Sequence, residues 1–222
     1  MYSIHQSCQI PPLANIYYGI FGYKESGFFV DIGACDGVSY SNTYGLAQIG
    51  WHGILAEPLI RDYEKCKTIY EHYYNIQVVN FAVSNYIGKG VLYTGDVPHV
   101  CSTMSLEFKN LLENTEYGKN YYGKEQEVEV ITLDHLLKTC TQLFPSMQLD
   151  ILSIDTEGTE LLVLEKFDIR FWKPNLVIVE AHELHKGSDR PITYPGINKY
   201  FSDNGYIRVY SDEINNIYLE KI

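Results

Sequence analysis

Residues Phe28 to Asn42, FFVDIGACDGVSYSN, decide how the rest of this chain is read. Phe28, Phe29 and Val30 form an apolar run into Asp31, and Gly33 and Gly37 frame the loop that follows. Glycine lacks a Cβ and accepts positive φ, so such a loop can carry backbone close to a ligand. An apolar strand, a glycine turn and then a helix place that ligand at the carboxyl end of a parallel sheet. The spacing is G-x-x-x-G with an acid two positions ahead of the first glycine. It is not the G-x-G-x-x-G of dinucleotide-binding turns.

Outward from this loop, apolar runs of four to eight residues alternate with helical patterns, as in a parallel α/β sheet. The expected strands are Phe28–Ile32, Gly53–Glu57, Ile76–Ala82, Leu149–Ile154 and Leu176–Glu180. Tyr63, Cys66, Tyr70 and Tyr73 recur at three and four residues, which predicts a helix with one apolar face. Ser41 or Asn42 is suited to cap the helix after the glycine loop, and Thr132 to cap LDHLLK. Tyr206–Tyr210 and Asn216–Leu219, joined by SDEIN, read as an antiparallel hairpin. Two stretches read as insertions at the sheet rim: Gly95 to Gln126, with SLEFKNLLEN helical inside it, and His182 to Pro195. Long loops at such an edge are usually functional.

At 222 residues the chain reads as a single domain, residues 1–222, with 1–26 as an N-terminal extension. A net charge of −11 argues against a nucleic-acid surface and against docking on anionic lipid. Cys8, Cys35, Cys66, Cys101 and Cys140 are odd in number and form no C-x-x-C pair, as expected of free thiols in a reducing compartment. The first residues lack the basic start and apolar core of a signal peptide, and no apolar run is long enough to span a bilayer. The expected location is cytoplasmic. Twenty tyrosines include Tyr117, Tyr121, Tyr122 and Tyr194, which lie in the inserted loops and could stack on sugar rings.

Acids recur where strands end. Glu57 closes the second strand, 26 residues after Asp31, where a carboxylate accepts hydrogen bonds from both ribose hydroxyls of an adenosine. After the third strand, Ala82 and Val83 could flank an adenine, with Ser84 or Asn80 as a polar contact. The next strand delivers LSIDTEGTEL, in which Asp155, Glu157 and Glu160 put three carboxylates within six residues. Glu157 and Glu160 also suit the positive end of a helix, but three acids exceed what capping needs. They could bind a cation, hold the amino group of a cofactor or orient a sugar hydroxyl. The fifth strand ends VIVEAHEL, bringing Glu180, His182 and Glu183 to the same rim. A histidine beside a carboxylate is a candidate general base, and His99, His135 and His185 lack that context.

In their order, DIGACDGVSYSNT, GWHGILAEP, AVSN, TLDHLL, LSIDTEGTELLVLEKFD and VIVEAHE resemble the FkbM-type methyltransferases over roughly Gly27 to Glu183. The resemblance implies the Rossmann-like fold of class I methyltransferases: a mostly parallel seven-stranded sheet ordered 3-2-1-4-5-7-6, a C-terminal antiparallel hairpin and helices on both faces. It implies S-adenosylmethionine as methyl donor and, for many members, a hydroxyl of a sugar or glycosylated metabolite as acceptor. By position, Asp31, Gly33, Ala34 and Gly37 resemble the first cofactor motif, and Ser41, Asn42 and Thr43 match the SNT that opens the next helix. Glu57 and Pro58 resemble the ribose-binding strand end, Ala82, Val83 and Ser84 the adenine site, and Asp155 to Glu160 the D-x-E-G-x-E segment. Many members carry S-x-x-G-E-D ahead of the first strand, where this chain has QIPPLA, Gln9 to Ala14.

The catalytic candidates are therefore His182 as base, Glu180 or Glu157 as its support, and Asp155 orienting donor or acceptor. No resident metal is expected, but a divalent ion on Asp155 and its neighbours is an alternative way to activate a hydroxyl. An NAD-dependent dehydrogenase is disfavoured by the glycine spacing. A non-catalytic module of the same fold would bind the donor or a glycan without turnover.

Overall fold

The computed structural model describes residues 10, 12–95, 102–115, 121–140, 148–181, 196–212 and 214–221. His182 and the rest of the expected insertion at 182–195, His99, Tyr117 and Tyr194 lie outside the described residues.

Two sheets are present among them. The larger contains β1 (Phe28–Ile32), β2 (His52–Ala56), β3 (Ile76–Val79), β7 (Ile151–Ile154), β8 (Leu176–Glu180), β9 (Tyr206–Ser211) and β10 (Asn215–Glu220). Its order is β3-β2-β1-β7-β8-β10-β9. Counting only the strands of this sheet along the chain, that is 3-2-1-4-5-7-6, as the family resemblance implied. β3, β2, β1, β7 and β8 run parallel, and β10 pairs antiparallel with both β8 and β9. The β9–β10 turn is held by Asp212, whose Oδ1 accepts from the N–H groups of Ile214 and Asn215.

The central strands are apolar on both faces because helices cover both. Phe28, Val30 and Ile32 of β1 pack with Leu152, Ile154, Val177 and Val179 against α5 (Leu133–Cys140), α6 (Glu160–Glu165), α7 (Ile169–Trp172) and α8 (Ile197–Asp203). Phe29 packs with Leu55, Ile151 and Ile178 on the opposite face, against α1 (Leu13–Phe21), α2 (Tyr44–Gln48) and α3 (Ile60–Ile69). The spacing of Cys66 and Tyr70 does bury one face of α3 and its end, and Thr132 Oγ1 does accept from the N–H of His135 at the start of α5. At the amino edge of the sheet, buried Asp150 accepts from the Phe28 N–H and from Asn175 and pairs with Lys24.

The second sheet corrects the sequence reading. The expected strand Ile76–Ala82 ends at Val79; the chain turns at Asn80 and Phe81, and β4 (Ala82–Val83) joins β6 (Lys124–Ile131) and β5 (Gly88–Thr94) in the order β4-β6-β5. Asn80 makes the turn, its side-chain amide donating to the carbonyls of Glu57 and Pro58 at 2.8 and 3.0 Å. The inserted stretch is thus shorter than Gly95 to Gln126, because its last residues, Lys124 to Gln126, belong to β6 and pair with β5. Its helix is where SLEFKNLLEN placed it: α4 (Leu106–Glu113), with Ser105 Oγ capping the Phe108 N–H. No described helix is long and apolar enough to cross a membrane.

Candidate functional site

The glycine loop after β1 is shaped by its protein neighbours. Gly33 lies at φ +82°, and a Cβ there would sit 1.7 Å from the Asp155 carbonyl oxygen. Gly37 lies at φ +77°, and its Cβ would strike the Tyr70 ring and the Cys66 sulfur. The first glycine lets β1 and β7 converge at their carboxyl ends, and the second lets the loop settle on α3. Between them, Asp36 Oδ1 accepts from the N–H groups of Val38 and Ser39, and Oδ2 from the Ser39 hydroxyl. This brace carried no distinct sequence signal.

Two buried acids flank the glycine loop. Asp31 accepts from the Thr43 hydroxyl at 2.6 Å, and burial pushes its carboxyl up to about 6 against the pull of Thr43 and Ser153. Thr43 itself is fully buried, so its hydroxyl holds Asp31 and does not face the cavity. Glu57 Oε2 accepts from the Cys35 N–H at 2.8 Å and Oε1 from the Leu59 N–H at 2.7 Å. Burial pushes Glu57 up to about 7, while those two N–H groups favour its charged form. Both oxygens are thereby aimed, and each keeps a lone pair for a hydroxyl donor. Cys35 is raised to about 12, first by desolvation and then by the surrounding acids, so it is an unreactive thiol.

The other side gathers three acids from two strands. Asp155 follows β7, Glu157 sits two residues on at φ +52°, and Glu180 ends β8. One carboxylate oxygen of each lies within 4.8 Å of the others, a spacing that suits a divalent cation with oxygen ligands. Glu160 is not among them. It is buried, and its Oε1 accepts from the Thr156 N–H and hydroxyl and from the Gly158 N–H, so it braces the loop from within. Desolvation raises its pKa.

One cavity of about 380 Å³ joins these groups. Of the residues expected to hold the donor, Asp31, Gly33, Ala34, Ser41, Asn42, Glu57, Pro58, Ala82, Val83 and Asp155 line it, as do Glu157 and Glu180 from the catalytic set. Gly37, Thr43 and Ser84 do not. Gly37 backs onto α3, Thr43 holds Asp31, and the N–H of buried Ser84 is spent on the Ile131 carbonyl within the small sheet. Ser41 lines the cavity while its hydroxyl accepts from the N–H groups of Thr43 and Tyr44 at the start of α2.

Tyr121 and Tyr122 are not platforms for a sugar. Both are buried with Phe108 and Leu112 beneath the small sheet. A different tyrosine faces the cavity. Tyr40 is 55% exposed and sits at φ +58°, a left-handed conformation that is rare for a bulky residue. Cys35, Tyr40 and Glu157 all line the cavity in this conformation, and strained backbone clusters at functional sites. Nothing in the sequence marks a positive φ at a tyrosine.

A model of the FkbM methyltransferase domain matches residues 31–208. The chain belongs to this family. No curated protein sequence matches it. Among solved structures it is similar to a precorrin-6y C5,15-methyltransferase from Geobacter metallireducens, at 9% identity and TM-score 0.49, covering 99% of this chain and 93% of that one. It is also similar to an rRNA methylase from Streptococcus thermophilus, at 10% identity and TM-score 0.47, covering 97% and 100%. A SAM-dependent methyltransferase from Aquifex aeolicus matches at 11% identity and TM-score 0.44, covering 93% and 88%. The fold of this FkbM-family protein is the class I methyltransferase fold, and family and fold together make S-adenosylmethionine the methyl donor. The residues present fit that donor. Glu57 would take the ribose hydroxyls, Ala82 and Val83 the adenine, and the glycine loop would lie along the amino-acid portion.

Proposed function

We propose that this protein moves the methyl group of S-adenosylmethionine to a hydroxyl of a sugar or of a glycosylated small molecule. The observation that carries the reading is a single cavity with the aimed carboxylate of Glu57 on one side and Asp155, Glu157 and Glu180 gathered on the other. The donor supplies an electrophilic methyl on a sulfonium. The protein must then place the acceptor oxygen in line with it and take up a proton. Positioning supplies much of the rate. An alkyl hydroxyl also needs a base, a contribution of roughly 10²–10⁴.

On this reading His182, two residues beyond Glu180, is the base, with Glu180 or Glu157 stabilising its charged form and Asp155 orienting donor or acceptor. The sugar acceptor rests on the family resemblance. The test is a screen of neutral glycosides with labelled donor, read by mass spectrometry. Methyl ethers on oxygen support the proposal, and methylation only on nitrogen or carbon sinks it. Binding of S-adenosylhomocysteine without turnover of any acceptor would make the protein a donor-binding module. His182→Ala should lower kcat on a true acceptor about 10²-fold.

The acid trio favours a second reading, in which a divalent cation on Asp155, Glu157 and Glu180 lowers the hydroxyl's pKa. Turnover abolished by EDTA and restored by magnesium selects it. Turnover indifferent to EDTA selects the histidine.

A further inference from the structure

Taking the cavity as the site of methyl transfer, we propose that Thr103 is a positioning residue, whose hydroxyl holds the Glu157 peptide in the conformation that gathers the Glu157 carboxylate with those of Asp155 and Glu180. Glu157 and Gly158 are consecutive left-handed residues, at φ +52° and +98°, and only the second is a glycine. A side-chain-bearing residue holds such a conformation at a cost, and does so only when its surroundings fix it. From inside the loop Glu160 fixes the N–H groups of Thr156 and Gly158. From outside, the hydroxyl of fully buried Thr103 donates to the Glu157 carbonyl at 2.7 Å.

Thr103 is itself anchored. Its backbone N–H and C=O exchange bonds with Tyr93 of β5, at 3.0 and 2.8 Å, and its hydroxyl accepts from the Ser105 N–H at 2.9 Å. Ser105 caps α4, and the Phe108 ring of that helix covers Gly158, where a Cβ would lie 2.6 Å from the ring. The small sheet and α4 thus form a bracket on the acid loop, and the Thr103 hydroxyl bonds bracket to loop. Without it the Glu157 peptide can turn to an ordinary φ and carry the carboxylate away from its two partners. The donor acids rest on β1 and β2 and lose nothing.

The experiment compares Thr103→Val with Thr103→Ser in the full chain. Valine keeps the volume and removes the hydroxyl; serine keeps the hydroxyl. In Thr103→Val, amide exchange at residues 156–160 should speed up, affinity for S-adenosylhomocysteine should stay within about twofold, and kcat on the glycoside found by the screen should fall about tenfold, the size of one buried hydrogen bond. Thr103→Ser should restore both exchange and kcat. Exchange at these amides equal to wild type in Thr103→Val overturns the proposal. So does a serine variant as impaired as valine, or a loss of kcat that tracks equally with donor affinity and melting temperature. If wild type methylates no glycoside, the functional reading fails, and the exchange comparison still decides the role of Thr103.

Discussion

The two ends of the cavity are built by different means. At the end proposed for the donor, the large sheet does the work through its own backbone: the Gly33 and Ala34 N–H groups bond the Ala56 carbonyl, and Glu57 receives N–H groups from Cys35 and Leu59. Every one of these groups lies on β1, β2 or the few residues after them. At the other end the acids come from β7 and β8, and the loop that carries Glu157 is clasped by Thr103 and Phe108, which precede it by some fifty residues. The first end is a local motif. The second is an agreement between distant parts of the chain. On the proposed function, donor chemistry can therefore persist while the bracket changes, with acceptor choice resting where the fold is easiest to alter.

The contrast breaks most severely at Gly33, where the two ends touch. Gly33→Ala sets a methyl 1.7 Å from the backbone oxygen of Asp155 and strains a φ of +82°. The atoms it meets are all Asp155 backbone, so a loss of at least about 3 kcal/mol is expected in thermal or urea unfolding.

Glu57→Gln tests the donor end alone. It keeps the shape but turns an N–H₂ group towards one of the donors now satisfied by a carboxylate oxygen. Affinity for S-adenosylhomocysteine by calorimetry should weaken about 10–100-fold, the value of a hydrogen bond to a charged group. Amide exchange at residues 156–160 should stay as in wild type. If it rises too, the two ends are not independent.

Acidity separates them as well. Asp31 and Glu57 have ordinary values of 3.8 and 4.5 and are raised to about 6 and about 7 in the folded protein. Raised acids bind protons more tightly folded than unfolded, so their contribution is complete below about pH 4. It is lost as pH rises through about 6 and 7, by roughly 3 kcal/mol for each group. The ligand-free protein should therefore melt higher at pH 5 than at pH 8 as far as these two groups decide it. If Glu57 takes the ribose hydroxyls as proposed, in its ionised form, donor affinity should move the other way. S-adenosylhomocysteine should bind more tightly at pH 8 than at pH 5. Near pH 7 its binding should release protons, seen as a heat that varies with the buffer.

The smallest effect is expected at Tyr40. Tyr40→Gly relieves a left-handed tyrosine and should raise stability by up to about 1 kcal/mol. The exposed ring lost from the cavity mouth should raise KM for the acceptor more than KM for the donor. A variant both less stable and unchanged in KM removes Tyr40 from the site.

Much of the donor end was readable in order along the chain. An apolar strand followed by glycines, a second strand ending in an acid, and the alternation of strands and helices are all local signals. The motif residues that do not line the cavity act locally too: Thr43 holds Asp31 and Gly37 backs onto α3. The small sheet was not readable in the same way. β4 has two residues, and it is a strand because Ala82 and Val83 pair with Val130 and Ile131, far along the chain. The alternation in EVEVI, Glu127 to Ile131, was the available clue to β6.

By itself the sequence determined the sheet, its glycine turn and the acids at its strand ends, because strand periodicity and turn chemistry act over a few residues. The tertiary structure alone decided which acids meet, that Glu160 braces while Glu157 faces the cavity, that Tyr121 and Tyr122 are buried while Tyr40 is exposed, and that Gly33 serves Asp155. Those outcomes depend on contacts between segments remote in sequence, whose geometry no local pattern encodes.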